Sequence, residues 1–461
     1  MKKIATPVLT ERKRAQRRNA SAKSIFAHAK NDRARSRNYT VTVVGLGYVG
    51  LPLALEALKG GYTVHGVDKN RELVRVLSEG RAPAHLEEAN LRFFRRRYQD
   101  MRFSETVLRP SDAYVVCVPT PVLPDKTPDL EPLLGATKLI APHVRRGTLV
   151  VIESTVNPGV CEEFVLPIIE RETGLRAERD FFFAHCPERI NPGDPRWTVA
   201  TIPRVLGTSG KRSDAAALSL YESIIKAPIT LMSNIKEAEA VKMVENTFRD
   251  INIAFVNELA MAFTKAGIDT MNVLRGASTK PFGFMAHYPG CGVGGHCIPV
   301  DPYYLIAYGH RNGFNHRFLE VAREINNHMP EYTVSLLTER LAKRGIDIRG
   351  KKVALLGLSY KKDVPDLRES PALDIAEALT KAGAVVATYD PLVLGRSTAK
   401  SLDEALDGAV GAIVATNHTV FGELSPEALL RHDIRVIVDG RNCLEKAKFE
   451  SAGIDYSGIG R

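Results

Sequence analysis

The chain has 461 residues, of which 44% are hydrophobic and 25% charged, a composition that predicts two or three folded domains. No apolar run approaches the ~20 residues that a membrane-spanning helix requires, and the N-terminus lacks the apolar core of a secretory signal. Of the 63 basic and 53 acidic residues, residues 1–38 hold 12 and 2, so the whole net charge of +10 lies in this leader.

Residues 1–38 are polar, rich in arginine and poor in side chains to bury, so we expect a basic disordered leader. A polyanion-binding arm, a targeting segment and a solvated extension are its open interpretations. The rest of the chain is formally neutral and gives no indication of nucleic-acid or membrane binding. The six cysteines are scattered without a CxxC pair, which favours reduced thiols in a cytoplasmic protein.

A glycine-rich turn follows the first predicted strand, 39–44. Its fingerprint glycines are Gly45, Gly47 and Gly50; an apolar helix comes next, and the following strand ends in Asp68. A strand, this spacing of glycines, a helix and a later acid together predict a dinucleotide-binding βαβ unit. The glycines allow the tight turn and bring a pyrophosphate onto the N-terminus of the helix.

Asp68 bears on the choice between the two nicotinamide cofactors. Its carboxylate is expected to accept hydrogen bonds from the adenosine ribose hydroxyls and to repel a 2′-phosphate, which favours NAD. The basic residues Lys69 and Arg71 that follow leave NADP open.

Three further strands each run into a polar turn: 113–118, 148–152 and 181–185. Open α/β sheets place ligands beyond the carboxyl ends of their strands, so these turns are candidate parts of the same site. Thr120 and Thr155 are candidates to face the cofactor, or simply to cap their turns. Glu188 is a candidate acid or base and Arg189 a candidate clamp for phosphate or carboxylate, although a surface Glu-Arg turn explains them equally well.

Residues 235–265 contain no Pro or Gly and carry apolar side chains at spacings of three and four. This pattern predicts one long helix, buried on several sides, that suits a domain-linking or dimer-forming core. Four polar residues lie along roughly one face of it: Lys242, Asn246, Arg249 and Asp250. Because a buried unpaired lysine is expensive, we interpret this polar face as part of a site.

The stretch Gly294–Asp301 holds the main candidate nucleophile. Its two glycines permit a sharp turn, Cys297 follows, and the carboxylate of Asp301 comes four residues later, a combination that suits a thiol nucleophile beside a proton-handling group. A buried structural thiol is the alternative, since a free cysteine is usually inert unless its surroundings lower its pKa. The His and Cys residues between 287 and 297 match no usual zinc spacing, so we expect no metal.

The last third of the chain repeats the strand-to-glycine pattern in a weaker form. The strand 351–356 runs into Gly357, a helix covers 371–382, and the strand 384–389 ends in an acid, Asp390. The full glycine fingerprint is lost, so a different nucleotide is expected here. Charged or aromatic side chains follow the strand ends, among them Tyr360, Lys361, Arg368 and Arg441.

Several motifs now stand in a recognisable order: GLGYVGLP, EST with PG after it, CPER, the Lys242–Asn246–Arg249 helix, GVGGHCIPVDP, GLSYKKDVPDLRESPA and DGRN. Together they resemble the UDP-glucose/GDP-mannose dehydrogenase family from about residue 39 onward. The resemblance implies an α/β fold with two Rossmann-like doubly wound domains joined by a long central helix and a helical dimerisation domain. The expected division is a leader (1–38), an NAD-binding domain (39–234), a central domain with the nucleophile loop (235–335) and a UDP-sugar-binding domain (336–461).

The resemblance implies NAD-dependent four-electron oxidation of the C6 hydroxyl of a UDP-sugar to the uronic acid. Cys297 is then expected to hold the aldehyde as a thiohemiacetal and later as a thioester, while Lys242 and Asn246 stabilise the developing oxyanion. Asp301 is the expected base for alcohol oxidation. Glu188 is the expected activator of the water that hydrolyses the thioester.

The same resemblance assigns binding positions. Thr155 is expected to hold a water for Asp301. The positions that match cofactor contacts are Gly45, Gly47, Tyr48, Val49, Gly50, Asp68, Thr120, Thr155 and Arg368. The positions that match substrate contacts are Arg189, Ile190, Lys242, Asn246, Arg249, Gly294, Tyr360, Lys361 and Arg441.

The KPFGFM segment before the nucleophile loop is most similar to the UDP-N-acetylglucosamine 6-dehydrogenase branch of the family. Cys291 departs from the family pattern, which has proline there, and is expected to loosen the loop or add a second thiol. UDP-glucose, UDP-N-acetylmannosamine and GDP-mannose stay open as substrates, and a non-catalytic regulator that binds NAD and a UDP-sugar is a distant alternative. The expected partner is a second copy of the chain, through the central helix.

Overall fold

The computed structural model describes residues 39–83, 86–123, 125–190 and 196–461. The predicted leader at 1–38 therefore lies outside the described residues. The described chain divides into two compact units. The first comprises 39–120 and 130–242, and the second comprises 121–129 and 243–461. The four-part division expected from the sequence stays a prediction.

The first unit is built on one eight-stranded sheet. Its strands are β1 (Thr40–Val44), β2 (Thr63–Val67), β3 (Met101–Ser104), β4 (Ala113–Val116), β5 (Leu149–Ile152), β6 (Phe182–His185), β7 (Arg204–Thr208) and β8 (Ile229–Leu231). They lie in the order β3-β2-β1-β4-β5-β6-β7-β8, and every pairing is parallel except that of β6 with β7. The strand order reverses between β1 and β4, the place where open α/β sheets bind nucleotides.

Helices cover both faces of this sheet: α1 (Gly50–Lys59), α2 (Arg71–Ser78), α3 (Glu88–Arg97), α4 (Glu131–Ile140), α5 (Leu166–Thr173) and α6 (Lys211–Ile224). Neighbouring residues of β1 enter different layers of the core. Val43 belongs to a cluster with Leu53 of α1 and Leu220 of α6, whereas Val44 belongs to a cluster with Leu133 of α4. The central strands β4 and β5 are buried along their whole length and are near-continuous apolar runs rich in valine, as expected for parallel strands covered on both faces.

One helix, α7 (Ile235–Ala266), carries the chain from the first unit into the second. Burial on several sides was predicted; one face is exposed in the single chain, where Val244, Phe248 and Phe255 are 59%, 46% and 53% exposed. The predicted polar face is also interrupted, because Arg249 is exposed whereas the other three polar residues of that face are buried. The sequence pattern records where apolar residues lie around a helix, but not which sides the rest of the chain covers.

The second unit holds a five-stranded sheet. Its strands are β9 (Lys352–Leu356), β10 (Val385–Tyr389), β11 (Ala409–Val414), β12 (Val436–Asp439) and β13 (Asp455–Gly458). They are all parallel, in the order β10-β9-β11-β12-β13, which confirms the second Rossmann-like sheet. Its helices are α8 (Thr270–Ala277), α9 (Asp301–Arg311), α10 (Arg317–Lys343), α11 (Pro371–Lys381), α12 (Leu402–Leu406), α13 (Thr419–Gly422), α14 (Pro426–Leu430) and α15 (Lys446–Ser451). Within the described ranges, no helix has the length and apolar character needed to cross a bilayer.

Candidate active site

The turn after β1 is shaped by three glycines with different surroundings. Gly45 has a φ of +91°, and a Cβ there would lie 2.8 Å from the carbonyl oxygen of Cys117. A Cβ on Gly50 would lie 1.8 Å from the carbonyl oxygen of Gly45, so α1 can approach the turn only without a side chain at that position. A Cβ on Gly47 would meet no described atom within 4 Å. Gly47 therefore leaves open space beside the N-terminus of α1, where a pyrophosphate fits.

Asp68 follows β2 and is held beside this turn. Its Oδ2 accepts a hydrogen bond from the Leu46 N–H at 2.8 Å, and its Oδ1 accepts one from the Asn70 N–H at 2.9 Å. The side chain stays partly exposed, and each carboxylate oxygen can accept a further hydrogen bond. The open face at Gly47 and the fixed, accessible carboxylate of Asp68 therefore fit the pyrophosphate and ribose of NAD.

Gly47→Ala is expected to weaken NAD binding about tenfold or more, because its methyl group would occupy the space left for the pyrophosphate. The variant should unfold at nearly the wild-type temperature, since the added Cβ meets no described atom. Calorimetric titration with NAD measures the affinity. Gly50→Ala is the contrasting control, because its methyl clashes with backbone and should lower the unfolding temperature. Unchanged affinity in Gly47→Ala would contradict this assignment.

The turn after β5, which carries Thr155, is held by hydrogen bonds to two other segments of the chain. The Thr120 hydroxyl donates to the carbonyl oxygen of Thr155 at 2.6 Å. Glu239 of α7 accepts hydrogen bonds from the Gly159 N–H at 2.6 Å and the Cys161 N–H at 2.9 Å, and burial raises the pKa of Glu239 to about 7. These contacts hold the backbone around Thr155 in one conformation.

Glu188 lies in the turn after β6 and is buried. Its Oε1 accepts hydrogen bonds from the N–H groups of Arg189 and Ile190, at 2.5 and 2.6 Å. Its Oε2 lies 2.8 Å from Nη2 of Arg204, the first residue of β7. Arg204 was not predicted from the sequence, although a lone charged residue at the start of an apolar strand signals a buried partner. The carboxylate of Glu188 is therefore oriented by two hydrogen bonds to Oε1 and by an ion pair at Oε2, which makes no hydrogen bond with a described residue.

Cys297 and Asp301 lie together at the start of α9. Asp301 is 3% exposed, and its Oδ2 accepts a hydrogen bond from Nδ2 of Asn246 at 2.5 Å. The Asp301 N–H donates to the carbonyl oxygen of Cys297 at 2.9 Å, so the cysteine lies at the start of the turn that leads into the helix. Lys242 lies one helical turn before Asn246 on α7 and is 7% exposed. The hydrogen bond between Asn246 and Asp301 thus joins the long helix to the residues that follow the nucleophile loop.

The six cysteines differ sharply in their surroundings. Cys297 is exposed, whereas the other five are buried or half-buried. Burial raises the pKa of each of those five thiols: Cys117, Cys161, Cys186, Cys291 and Cys443. Because the thiolate is the reactive form, these five are poor nucleophiles. Accessibility therefore singles out Cys297.

The loop that carries Cys297 packs against the turn after β9. A Cβ on Gly294 would lie 2.6 Å from the Cβ of Tyr360, and one on Gly295 would lie 2.7 Å from the Tyr360 ring. Gly295, at φ +93°, donates its N–H to the carbonyl oxygen of Arg368 at 3.0 Å. The two glycines thus allow close backbone approach as well as a sharp turn.

Cys291 ties the same loop to the second sheet. Its N–H donates to the carbonyl oxygen of Gly440 at 3.0 Å, and its Sγ donates to the carbonyl oxygen of Ala415 at 3.3 Å. The carbonyl of Ala415 also accepts a hydrogen bond from Nε of Arg441 at 2.9 Å. A proline has no N–H and could not make the first of these bonds. The cysteine is therefore a fully buried tether, and the expectation of a loosened loop is wrong.

A buried chain of polar groups supports the loop from the helices. Arg323 Nη1 donates to Oδ1 of Asp250 at 2.6 Å, and Asn326 Nδ2 donates to the same oxygen at 2.9 Å. Asn257 then donates to Oδ1 of Asn326 at 2.9 Å and accepts from the Gly290 N–H at 3.0 Å. Burial raises the pKa of the Asp250 carboxyl, and the guanidinium of Arg323 opposes that shift. Arg323, Asn326 and Asn257 were not predicted from the sequence.

The turn after β9 is organised by a buried acid at the end of β10. Asp390 Oδ2 accepts hydrogen bonds from the N–H groups of Leu358 and Ser359, both at 2.8 Å, and from the Ser359 hydroxyl at 2.9 Å. Nε2 of His418 lies 3.1 Å from the same oxygen. Although burial opposes it, hydrogen bonding from His418 and the backbone holds the pKa of Asp390 well below its usual range. Tyr360 continues directly from this fixed turn.

Each unit therefore gathers its own set of predicted residues. In the first unit, the predicted positions follow the carboxyl ends of the parallel strands: Gly45 to Gly50, Asp68, Thr120, Thr155, Glu188 and Arg189. In the second unit, they lie around the nucleophile loop and the turns of the second sheet: Asn246, Gly294, Cys297, Asp301, Tyr360, Lys361, Arg368 and Arg441. Across the described ranges, no three His, Cys, Asp or Glu side chains are grouped to hold a metal ion.

Family models match nearly the whole described chain. The NAD binding domain of the UDP-glucose/GDP-mannose dehydrogenase family matches residues 39–225, its central domain matches 236–328, and its UDP binding domain matches 354–446. The chain belongs to the UDP-glucose/GDP-mannose dehydrogenase family. It is an NAD-dependent nucleotide-sugar dehydrogenase with a UDP-binding domain, which confirms the predicted family, enzyme class and cofactor.

Individual members of the family are similar over almost their full length. The UDP-N-acetyl-D-glucosamine 6-dehydrogenase of Pseudomonas aeruginosa is 39% identical over 87% of this chain and 98% of its own. The UDP-N-acetyl-D-mannosamine dehydrogenase of Pyrococcus horikoshii is 37% identical over 91% of this chain and 99% of its own. The solved structure of the UDP-D-ManNAc dehydrogenase from Pyrococcus horikoshii has a TM-score of 0.86 at 36% identity and covers 92% of this chain and 99% of its own.

Proposed function

We propose that this dehydrogenase oxidises the C6 hydroxyl of a UDP-sugar, with UDP-N-acetylglucosamine as the first candidate, to the uronic acid through a covalent intermediate on Cys297. A four-electron oxidation passes through an aldehyde, and a thiol that bonds to this aldehyde holds it for the second oxidation. The observation that carries the proposal is the exposed Cys297, four residues ahead of a buried Asp301 that begins α9 and is hydrogen-bonded to Asn246.

Three side chains are proposed to act on the substrate oxygen and its proton. Asp301 accepts the proton of the C6 hydroxyl, and its carboxylate is oriented for this by Asn246. Lys242 and Asn246, one helical turn apart, stabilise negative charge on that oxygen when the thiol adds. Thr155 holds a water for Asp301. NAD, held by Asp68 and the glycine turn, supplies a hydride acceptor for each oxidation when bound.

Hydrolysis of the thioester is proposed to use Glu188 as the acceptor of a proton from water. Its carboxylate suits this role because both oxygens are fixed, by two N–H groups and by Arg204. The proposed cofactor contacts are Gly45, Gly47, Tyr48, Val49, Gly50, Asp68, Thr120, Thr155 and Arg368. The proposed substrate contacts are Arg189, Ile190, Lys242, Asn246, Arg249, Gly294, Tyr360, Lys361 and Arg441.

The choice of sugar rests on similarity. The relative from Pseudomonas aeruginosa acts on UDP-N-acetyl-D-glucosamine and is 39% identical, whereas the relative from Pyrococcus horikoshii acts on UDP-N-acetyl-D-mannosamine and is 37% identical. The KPFGFM segment favours UDP-N-acetylglucosamine as the substrate. UDP-N-acetylmannosamine, UDP-glucose and GDP-mannose stay as alternatives for the same chemistry.

A panel of sugar nucleotides, followed by NADH absorbance, tests the proposal. UDP-N-acetylglucosamine is expected to give the highest kcat/KM, with two NADH formed per sugar and a product whose mass is that of the uronic acid. A stoichiometry of one NADH per sugar would exclude the four-electron reaction. Binding of NAD and sugar without any NADH would instead support the non-catalytic regulator.

We propose that two copies of the chain pair through α7. Val244, Phe248 and Phe255 present an exposed apolar face of this helix, and a second copy is the partner that the sequence predicts for it. Phe248→Asp with Phe255→Asp is expected to shift the protein from dimer to monomer in analytical ultracentrifugation, because two carboxylates would be desolvated in the interface. Val385→Asp, at an exposed valine of β10, is the matched control and should leave the mass unchanged. A wild-type monomer would refute the pairing.

A further inference from the structure

At the carboxyl ends of the parallel strands of the first sheet, one buried cation lies between two carboxylates. Arg204 is 0% exposed; its Nη1 lies 3.4 Å from Oε2 of Glu153, and its Nη2 lies 2.8 Å from Oε2 of Glu188. The two glutamates are 1% and 6% exposed. The proposed function uses Arg204 only to fix the carboxylate of Glu188, and it gives Glu153 no part.

The sheet topology explains why these three groups meet. β5 and β6 are parallel neighbours, so Glu153 after β5 and Glu188 after β6 lie at the same edge. β7 pairs antiparallel with β6, and its first residue, Arg204, therefore starts at that edge as well. A parallel β7 would have placed its first residue at the opposite edge.

The cluster does not balance its charge when every group is ionised. Two carboxylates and one guanidinium then carry a net charge of −1, and a net charge is expensive to bury. Among the described residues, the other titratable groups that face the cluster are Cys117 after β4, Cys186 after β6 and Tyr221 on α6. Burial raises the pKa of all three, so they stay neutral near neutral pH.

Glu153 is the group of this cluster whose charge changes near neutral pH. Its Oε1 accepts a hydrogen bond from the Tyr221 hydroxyl at 2.5 Å, and it has no other described charged partner than Arg204. Burial raises the pKa of Glu153 to about 7, with the cation of Arg204 opposing this and the carboxylate of Glu188 adding to it. Near neutral pH, Glu153 therefore changes between a neutral and a charged neighbour of Arg204.

We propose that Arg204 and Glu153 are positioning residues that set the strength of Glu188 as a base: Arg204 orients its carboxylate, and Glu153 offsets the cation that would otherwise weaken it. The inference rests on the proposed function, in which Glu188 serves the hydrolytic step. In that step, the water oxygen bonds to the thioester carbon, a water proton passes to Glu188, and the carbon–sulfur bond breaks with its electron pair left on the Cys297 sulfur. The proton leaves Glu188 for solvent before the next turnover.

Two substitutions are expected to change the pH profile of hydrolysis in different ways. Glu153→Gln keeps the shape but fixes that neighbour of Arg204 in a neutral form, so the rate above the pKa of Glu153, about 7, should fall on the order of tenfold while the acid limb stays near its wild-type position. Arg204→Met removes the cation, so the acid limb should move to higher pH by about one unit or more. Arg204→Lys keeps the cation and should leave the limb near the wild-type position.

The decay of the acyl-enzyme measures these rates directly. Full-length wild-type and variant proteins are mixed with NAD and UDP-N-acetylglucosamine, quenched at intervals over a range of pH, and assayed by intact mass for the adduct on Cys297. Thermal unfolding shows which variants are folded. If Arg204→Met does not fold, the result with Glu153→Gln alone decides the inference. A wild-type rate at high pH in folded Glu153→Gln would overturn the inference, because a purely structural role would change stability without changing the profile.

A second measurement does not depend on turnover. In protein labelled with carboxyl-¹³C glutamate, the Glu188 signal is identified with Glu188→Gln and its titration midpoint is followed by NMR. The midpoint is expected to rise in Arg204→Met and to stay near wild type in Arg204→Lys, and equal midpoints in wild type and Arg204→Met would refute the coupling. If wild type forms neither NADH nor an adduct with any sugar nucleotide, the proposed function fails, and this titration still decides whether the charges are coupled.

Discussion

Cys297→Ala is expected to lower uronic acid formation on the order of 10³- to 10⁶-fold, the range typical for removal of a covalent nucleophile. Without the sulfur, nothing in the chain bonds to the aldehyde, so the second oxidation and the hydrolysis both lose their intermediate. The measurement is NADH formation with UDP-N-acetylglucosamine, together with the mass of the product. The free energy of unfolding should stay close to wild type because Cys297 is exposed.

Cys443→Ala is the matched control, since it removes a half-buried thiol whose Sγ contacts Asp439 and takes no part in the proposed chemistry. It should retain activity with the same two NADH per sugar. Sustained acid formation by Cys297→Ala, over many turnovers, would exclude a covalent route through this residue.

Arg323→Met is expected to lower the free energy of unfolding by about 3–5 kcal/mol, because it leaves the carboxylate of Asp250 buried without its counter-charge. The two residues are 4% and 0% exposed, and the N–O distance between them is 2.6 Å. Urea unfolding followed by far-UV circular dichroism measures the loss. Fluorescence suits this test poorly, because the single tryptophan, Trp197, belongs to the first unit and Arg323 to the second.

The double variant Arg323→Met with Asp250→Asn separates the charge from the packing. It removes both ions and keeps hydrogen-bonding atoms opposite Asn326, so at least half of the lost stability should return. A double variant as unstable as Arg323→Met alone would mean that packing of the arginine side chain, and not the stranded carboxylate, causes the loss.

The local sequence pattern was sufficient to predict the main helices and strands and to propose Cys297 as the nucleophile. The helix predicted at 235–265 runs over Ile235–Ala266, and the first strand predicted at 39–44 runs over Thr40–Val44. Such predictions succeed because hydrophobic periodicity and glycine positions act over a few residues. Cys297 was singled out in the same way, since a glycine-rich turn with a thiol and a nearby acid is contained in eight residues, and its role as nucleophile stays a prediction.

Buried partners at long range were not predictable by the same means. Arg204 meets a carboxylate 51 residues earlier in the chain, and Arg323 meets one 73 residues earlier. Nothing in the spacing of those residues encodes the pairing, which depends on strand order and on helix packing. The same limit explains Phe255, which belongs to an apolar helix pattern but lies on a side of the helix that the rest of its own chain leaves 53% exposed.

Asp68 and Asp390 each follow the second strand of their sheet. They therefore occupy equivalent places, but their surroundings differ. Asp68 keeps one side towards solvent, whereas Asp390 is enclosed and saturated by donors from its own turn and from His418. A buried carboxylate that already accepts these hydrogen bonds cannot also accept hydrogen bonds from the hydroxyl groups of a ribose. Discrimination between nucleotides in the C-terminal half must then come from side chains further along its loops, and grafting the N-terminal fingerprint glycines onto this half would not by itself create a second dinucleotide pocket.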